Sequence, residues 1–169
     1  MDEGMARLFV GLPLNDGARD ALWRLGESLT GGRPSRRDMY HMTLCFLGMR
    51  RREEMPRIAR AVERVRRPRL TVTLDRVGSF KGGDVIWAGP SCPGEALMAY
   101  QRELAASLGM EEEAYRPHVT LARKCRGVEP PRGMERITFV PDRVILYESV
   151  REDGRLVYRP RYWFDMGNP

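Results

Sequence analysis

Tyr115-Arg116-Pro117-His118-Val119-Thr120-Leu121-Ala122-Arg123 has a counterpart upstream, Tyr40-His41-Met42-Thr43-Leu44-Cys45-Phe46-Leu47-Gly48. Each stretch carries a His-x-Thr-Leu tetrapeptide within an apolar run, and together they account for both histidines of the chain. With six threonines among 169 residues, a doubled match of this kind is a poor candidate for coincidence. An extended strand alternates its side chains and rises about 3.3 Å per residue, so His and Thr of each copy share a face about 6.6 Å apart, with Leu on the other. Two copies supply two imidazoles and two hydroxyls, enough for acid–base chemistry on an anion.

The rest of the composition narrows what such a pair can serve. At 42% hydrophobic and 31% charged, the chain is that of a globular protein and not a disordered one. No apolar run approaches the roughly 20 residues that span a bilayer. The opening Met1-Asp2-Glu3-Gly4 starts no signal-peptide pattern, and the expectation is a cytoplasmic protein. The 27 arginines and two lysines against 23 acids leave a net charge of +6, which favours an anionic partner such as nucleic acid or nucleotide phosphate. Cys45, Cys92 and Cys125 are odd in number, widely spaced and without a CxxC pair, which argues against a disulfide framework or structural zinc. Two histidines leave a zinc site short of a third protein ligand, so no metal is expected. Cys45 lies four residues after His41; ideal alternation puts it on the histidine's face.

Periodicity orders the remainder. A short strand over Arg7–Leu12 leads to Asn15, an N-cap for a helix with Ala18, Leu22, Leu25 and Leu29 as its buried stripe and Gly31-Gly32 as its stop. Residues 33–38 form a basic connector, one of whose arginines is a candidate phosphate contact. After the first histidine strand, which Gly48 should end, Met55, Ile58, Val62 and Val65 mark a helix over 53–67. A strand over Leu70–Phe80 turns at Lys81–Asp84 into Val85–Ala88, which places Phe80 and Trp87 beside the turn as a sheet cover or a base-stacking platform. Cys92 stands where a helix cap is expected, before a helix to Leu108 with Gly109 as its C-cap. Glu111-Glu112-Glu113 reads as an acidic loop. Strands over 137–140, 144–150 and 156–164 close the chain, the last two joined by a turn at Glu152-Asp153-Gly154. The alternation of hairpins and helices indicates an α+β fold, and its order suggests a diverged duplication. No Rossmann glycines or P-loop are present, so no nucleotide cofactor is expected.

As chemistry, one imidazole can remove a proton from water while the other protonates a departing oxygen, and the ordinary histidine pKa near 6.5 suits both tasks. Thr43 and Thr120 can donate to phosphate oxygens. Arg123 falls on the Leu side of an ideal strand and reaches a phosphate only where that strand ends or twists. Phe80 and Tyr115 are candidate contacts to a base or ribose.

With His41-Met42-Thr43-Leu44 followed by Phe46-Leu47-Gly48, and with Pro117-His118-Val119-Thr120-Leu121-Ala122-Arg123, the sequence resembles the 2H phosphoesterase superfamily, most closely its RNA 2′,3′-cyclic phosphodiesterase (2′-5′ RNA ligase-like) branch. The likeness runs over nearly the whole chain. It implies a bilobal, pseudo-twofold α+β fold with two antiparallel sheets flanked by helices around a central cleft. Residues 1–169 then form one domain of two interleaved lobes, each giving one HxT strand. It implies hydrolysis of RNA 2′,3′-cyclic phosphate ends, or of cyclic-phosphate nucleotides, to 2′-phosphomonoesters, without metal or cofactor. In that scheme His41 is the proton donor, His118 the proton acceptor, and Thr43, Thr120 and Arg123 hold the phosphate. A monomer without membrane or obligate protein partner is implied. The alternatives are a related enzyme acting on another cyclic or oligonucleotide substrate, and a non-catalytic RNA-end binding module. Tyr40 and Cys45 depart from the residues common at their positions, which puts the wall around the base in question.

Overall fold

The computed structural model describes residues 3–111 and 113–167; Met1-Asp2 and Glu112, the middle of the acidic loop, lie outside it. The elements are β1 (Met5–Pro13), α1 (Asp16–Glu27), β2 (Arg33–Pro34), β3 (His41–Arg51), α2 (Met55–Arg64), β4 (Val72–Leu74), β5 (Arg76–Phe80), β6 (Val85–Gly89), α3 (Glu95–Ser107), β7 (Val119–Arg123), β8 (Ile137–Phe139), β9 (Arg143–Glu152) and β10 (Arg155–Asp165). Two four-stranded antiparallel sheets form the fold, one ordered β10-β9-β1-β3 and the other β2-β7-β6-β5, with a separate pair β4-β8. This is the α+β, bilobal architecture expected. The histidine strands hold matching places: β3 pairs with β1 across α1, and β7 pairs with β6 across α3.

Both sheets turn one face into a common core. Leu8, Val10, Leu12, Met42 and Leu44 come from the first sheet and Ile86, Ala88, Val119, Leu121 and Ala122 from the second, all buried. The helices cover it, α1 and α2 with residues of the stripes that their spacing predicts, α3 with Tyr100 where the spacing points to Gln101. Ala18 and Leu22 of α1, Ile58 and Val62 of α2, and Leu97, Tyr100 and Leu104 of α3 are buried. Asn15 caps α1, its side-chain oxygen accepting from Ala18 N at 2.8 Å, which satisfies one of the free amides of the first turn.

Several expectations need correction. α1 ends at Glu27, before Leu29 and the glycine pair, and α2 ends at Arg64, before Pro68. β3 does not stop at Gly48 but passes through it in a left-handed conformation (φ 71°) to Arg51. The strand expected over 70–80 is two strands in different sheets, because Asp75 breaks it. Its amide donates to Gly89 O, and its carboxylate accepts from the amide and hydroxyl of Ser91. Cys92 is exposed and caps nothing; Gly94 is the N-cap residue of α3. The β9–β10 turn is as expected, with Asp153 and Gly154 both at positive φ (52° and 75°), the requirement of the tight hairpin turn whose twist matches its strands.

One charged group sits inside this apolar frame. Glu148 of β9 is 1% exposed and accepts from Arg52 (3.1 and 2.5 Å) and Arg161 (2.9 Å). Removing a buried charge partner strands the other charges. Since both arginines remain partly exposed, Glu148→Gln is expected to cost about 2 kcal/mol of folding stability, measurable as a lowered urea midpoint at unchanged slope.

Candidate active site

Alternation places Met42 and Leu44 of β3 in the core and turns His41 and Thr43 outward; Val119 and Leu121 of β7 are likewise buried, with His118 and Thr120 outward. In each strand a bulge follows the threonine. Thr43 pairs with Gly11 and Cys45 with Val10, leaving Leu44 as the extra residue. Thr120 pairs with Trp87 and Ala122 with Ile86, leaving Leu121 extra. A bulge of this kind reverses which face later side chains take. Cys45 therefore enters the core instead of sharing the histidine's face, and burial pushes its thiol pKa up to about 12. For Arg123 the effect is the opposite. The register shift brings it back to the His118–Thr120 side, where its charge holds down the pKa of both histidines.

The imidazoles are held in the same way. His41 Nδ1 donates to Met39 O at 2.9 Å, and His118 Nδ1 donates to Arg116 O at 2.8 Å. A carbonyl can only accept, so each neutral ring carries its proton on Nδ1 and leaves Nε2 for chemistry. His41 Nε2 lies 2.9 Å from Thr43 Oγ1, whose hydroxyl donates to it. On the neighbouring strands small residues make room. A Cβ on Gly89 would stand 2.7 Å from Pro117 O, and one on Gly11 3.0 Å from Met42 O. Side chains there would push the histidine strands away.

Aromatic rings line both sides. His41 packs against Phe9 (ring centroids 4.8 Å) and edge-on to Tyr158 (5.0 Å), with Tyr147 at 6.0 Å. His118 meets Phe80 edge-on at 4.8 Å, and Arg116 lies over the Phe80 ring. Trp87 is buried behind Phe80 and offers no open platform. Strand and helix periods alone do not single out Phe9, Tyr147 and Tyr158. The available signal is that Phe9 points away from Leu8 and Val10, and that Tyr147 opposes it across the ladder.

Tyr115 is not free to contact a base or ribose. Its hydroxyl donates to Thr43 O at 2.6 Å, tying the approach to β7 to the middle of β3. Two arginines of the basic connector are also committed. Arg36 donates to Leu156 O and Asp38, and Arg37 to Asp20 and Asp16; Arg33 is engaged only through its backbone, in the ladder with Arg123. Tyr40 is buried with its hydroxyl toward Gly26 of α1. Among the described residues no three His, Cys, Asp or Glu side chains gather as a metal site, and no helix is long and apolar enough to cross a membrane.

Both histidine pKa values are lowered. Burial is the main cause for His41, reinforced by His118, Arg123 and Arg19 and opposed by the bond to Met39, and the result is about 4. Burial and Arg123 lower His118 against its bond to Arg116. The cleft is therefore neutral at its imidazoles and positive at its rim, ready for an anion.

Comparison with known proteins agrees with this geometry. Residues 18–152 match the 2′-5′ RNA ligase superfamily. The RNA 2′,3′-cyclic phosphodiesterase of Escherichia coli (strain K12) is 30% identical over 164 residues, covering 91% of this chain and 93% of that protein. The chain belongs to the 2′-5′ RNA ligase superfamily. The 2H phosphoesterase resemblance thus holds in structure as well. E. coli LigT complexed with 3′-AMP superposes with a TM-score of 0.88 at 26% identity, over 96% of this chain and 98% of that one. A Thermus thermophilus protein shares the superfamily fold at 22% identity (TM-score 0.70; 96% of this chain, 98% of that one).

Two measurements test the site. In an NMR titration the His41 ring should titrate near pH 4 and His118 below 6.5, both rising when inorganic phosphate is added. Because folded-state values below the unfolded one mean that the unfolded chain binds more protons, these groups add stability above pH 6.5 that is lost as pH falls toward 4. Tyr115→Phe removes the tie to Thr43 and is expected to cost about 1 kcal/mol in urea unfolding.

Proposed function

We propose that the protein hydrolyses RNA 2′,3′-cyclic phosphate ends, or cyclic-phosphate nucleotides, to 2′-phosphomonoesters, with His118 taking a proton from water and His41 giving one to the departing oxygen. The observation that carries this reading is the pair of matched HxT strands, each with its histidine oriented through Nδ1 and its Nε2 turned from the backbone. The E. coli relative's activity as an RNA 2′,3′-cyclic phosphodiesterase and the binding of 3′-AMP and phosphate by E. coli LigT support it.

The steps balance without a co-reactant other than water. His118 Nε2 accepts a proton from water as its oxygen bonds to phosphorus. The P–O3′ bond opens on the opposite side, and His41 Nε2 donates a proton to the departing 3′-oxygen. Thr43, Thr120 and Arg123 stabilise the charge on the non-bridging oxygens. The donor must be protonated, whereas His41 in the free protein is deprotonated well below neutrality. A bound phosphodiester anion opposes the burial and cationic effects that depress it. Substrate thus installs the proton that the reaction consumes. The same reading takes the chain as one unit of two interleaved lobes, working as a monomer in the cytoplasm.

The test is turnover of 2′,3′-cyclic nucleotides and short RNAs with that end, in EDTA, with product identification. Hydrolysis to 2′-phosphates is expected, with His41→Ala and His118→Ala each losing about 10²–10⁴-fold in kcat. With both free-enzyme values below 6.5, kcat/KM should be highest on the acid side of that pH and fall as pH rises. The optimum of kcat, set in the complex, should lie higher. A folded protein that leaves the whole panel intact while binding its ends would instead be a non-catalytic RNA-end module. Turnover confined to other cyclic or oligonucleotide substrates would move the activity elsewhere in the superfamily.

A further inference from the structure

Beyond His41 lies a pocket of roughly 520 Å³ that the two-histidine reaction does not use. Of the four motif side chains only His41 lines it. The other walls come from the β1–α1 junction, the approach to β3, the entry to β9, and β9 and β10 themselves. Its floor continues the aromatic surface under His41 through Tyr147 and Tyr158 to Trp163, which pairs with Ile145 in the ladder and is 52% exposed. Arg143 places its guanidinium 5.9 Å from the Trp163 ring centroid, and Arg19 of α1 also lines the pocket. The two acids in the walls are partnered: Asp38 with Arg36 at 3.3 Å, and Asp142 loosely with Arg143 at 3.8 Å. Arg19 donates only to a backbone carbonyl, that of Leu14, among the described residues. Aromatic faces and cations together, in a space of small-ligand size, suit a base with its phosphate.

We propose that this pocket is a second nucleotide subsite, taking the residue immediately 5′ of the one that carries the cyclic phosphate. The proposal rests on the phosphodiesterase reading above. A 2′,3′-cyclic phosphate exists only at the end of a strand, so the reacting ribose is the terminal one and the chain leaves it through its 5′-oxygen. In-line displacement places that ribose on the side of the departing 3′-oxygen, beside the donor His41, with the attacking water on the side of His118. His41 is also the histidine that borders the pocket. The penultimate base stacks on Trp163 and Tyr158, and the linking phosphodiester lies between Arg19 and Arg143. The consequence is a preference for oligonucleotide ends over mononucleotides, set by a surface that touches no reacting atom.

The experiment compares kcat/KM for a 2′,3′-cyclic mononucleotide with that for a dinucleotide carrying the same end, in wild type, Trp163→Ala and Arg143→Gln. Arg102→Gln, on the outer surface of α3, serves as control. The dinucleotide should be favoured at least tenfold in wild type and in the control, and the ratio should fall toward one in both pocket variants. Trp163 and Arg143 are half exposed, so neither substitution empties the core, and loss of the advantage in either variant supports the subsite. Turnover of both substrates without a dinucleotide advantage, or an advantage that survives both substitutions, overturns the subsite and leaves the phosphodiesterase reading standing. No turnover of either substrate overturns that reading, and the subsite with it.

Discussion

Burial of four side chains, Met42 and Leu44 on β3 and Val119 and Leu121 on β7, fixes everything that the cleft presents. Because side chains alternate along a strand, a one-residue slip would exchange His41 and Thr43 for core residues and carry two polar groups inside. The cost of that exchange, several kcal/mol of lost apolar burial and unsatisfied polar groups, locks the register. The histidine positions are thus held by the hydrophobic core and not by contacts between the histidines. Backbone carbonyls at Met39 and Arg116 then set the ring orientation. Tyr115 adds a direct tie between the approach to β7 and the middle of β3.

What the sequence made legible was what local pattern determines. The paired His-x-Thr tetrapeptides, the Asn15 cap, the apolar stripes of α1 and α2 and the Asp153-Gly154 turn are each encoded within a few residues. The features that escaped depend on partners distant in the chain. Leu44 and Leu121 look like ordinary strand residues, and only the pairing with β1 and β6 shows them to be bulged. Without those bulges, parity assigns Cys45 to the cleft and Arg123 away from it, the reverse of what is found. The division of 70–80 into two strands follows from Asp75 engaging Gly89 and Ser91, contacts that no period reveals. In the sequence Tyr115 is an aromatic three residues from His118; its bond to Thr43 crosses 72 positions of sequence.

The cleft also illustrates how burial tunes acid–base groups with no carboxylate among the causes of either shift. Desolvation and neighbouring cations both favour neutral imidazole, and a carbonyl bond at Nδ1 offsets them only in part. Such a site is poised electrically for an anion, since the arriving charge relieves the same effects that depress the histidines.

The matched bulges have one more consequence. The residue two places after the bulged leucine returns to the cleft side in both strands, and it is Arg123 in one but Phe46, half exposed beneath Arg7, in the other. A cleft with perfect twofold symmetry would accept a cyclic phosphate equally well in two opposite poses, only one of which could be productive for a given pair of roles. In the proposed reaction, the arginine on one side and the phenyl ring on the other would distinguish the two poses. Divergence of a single corresponding position gives a duplicated scaffold a direction, with one end for charge and one for an apolar surface.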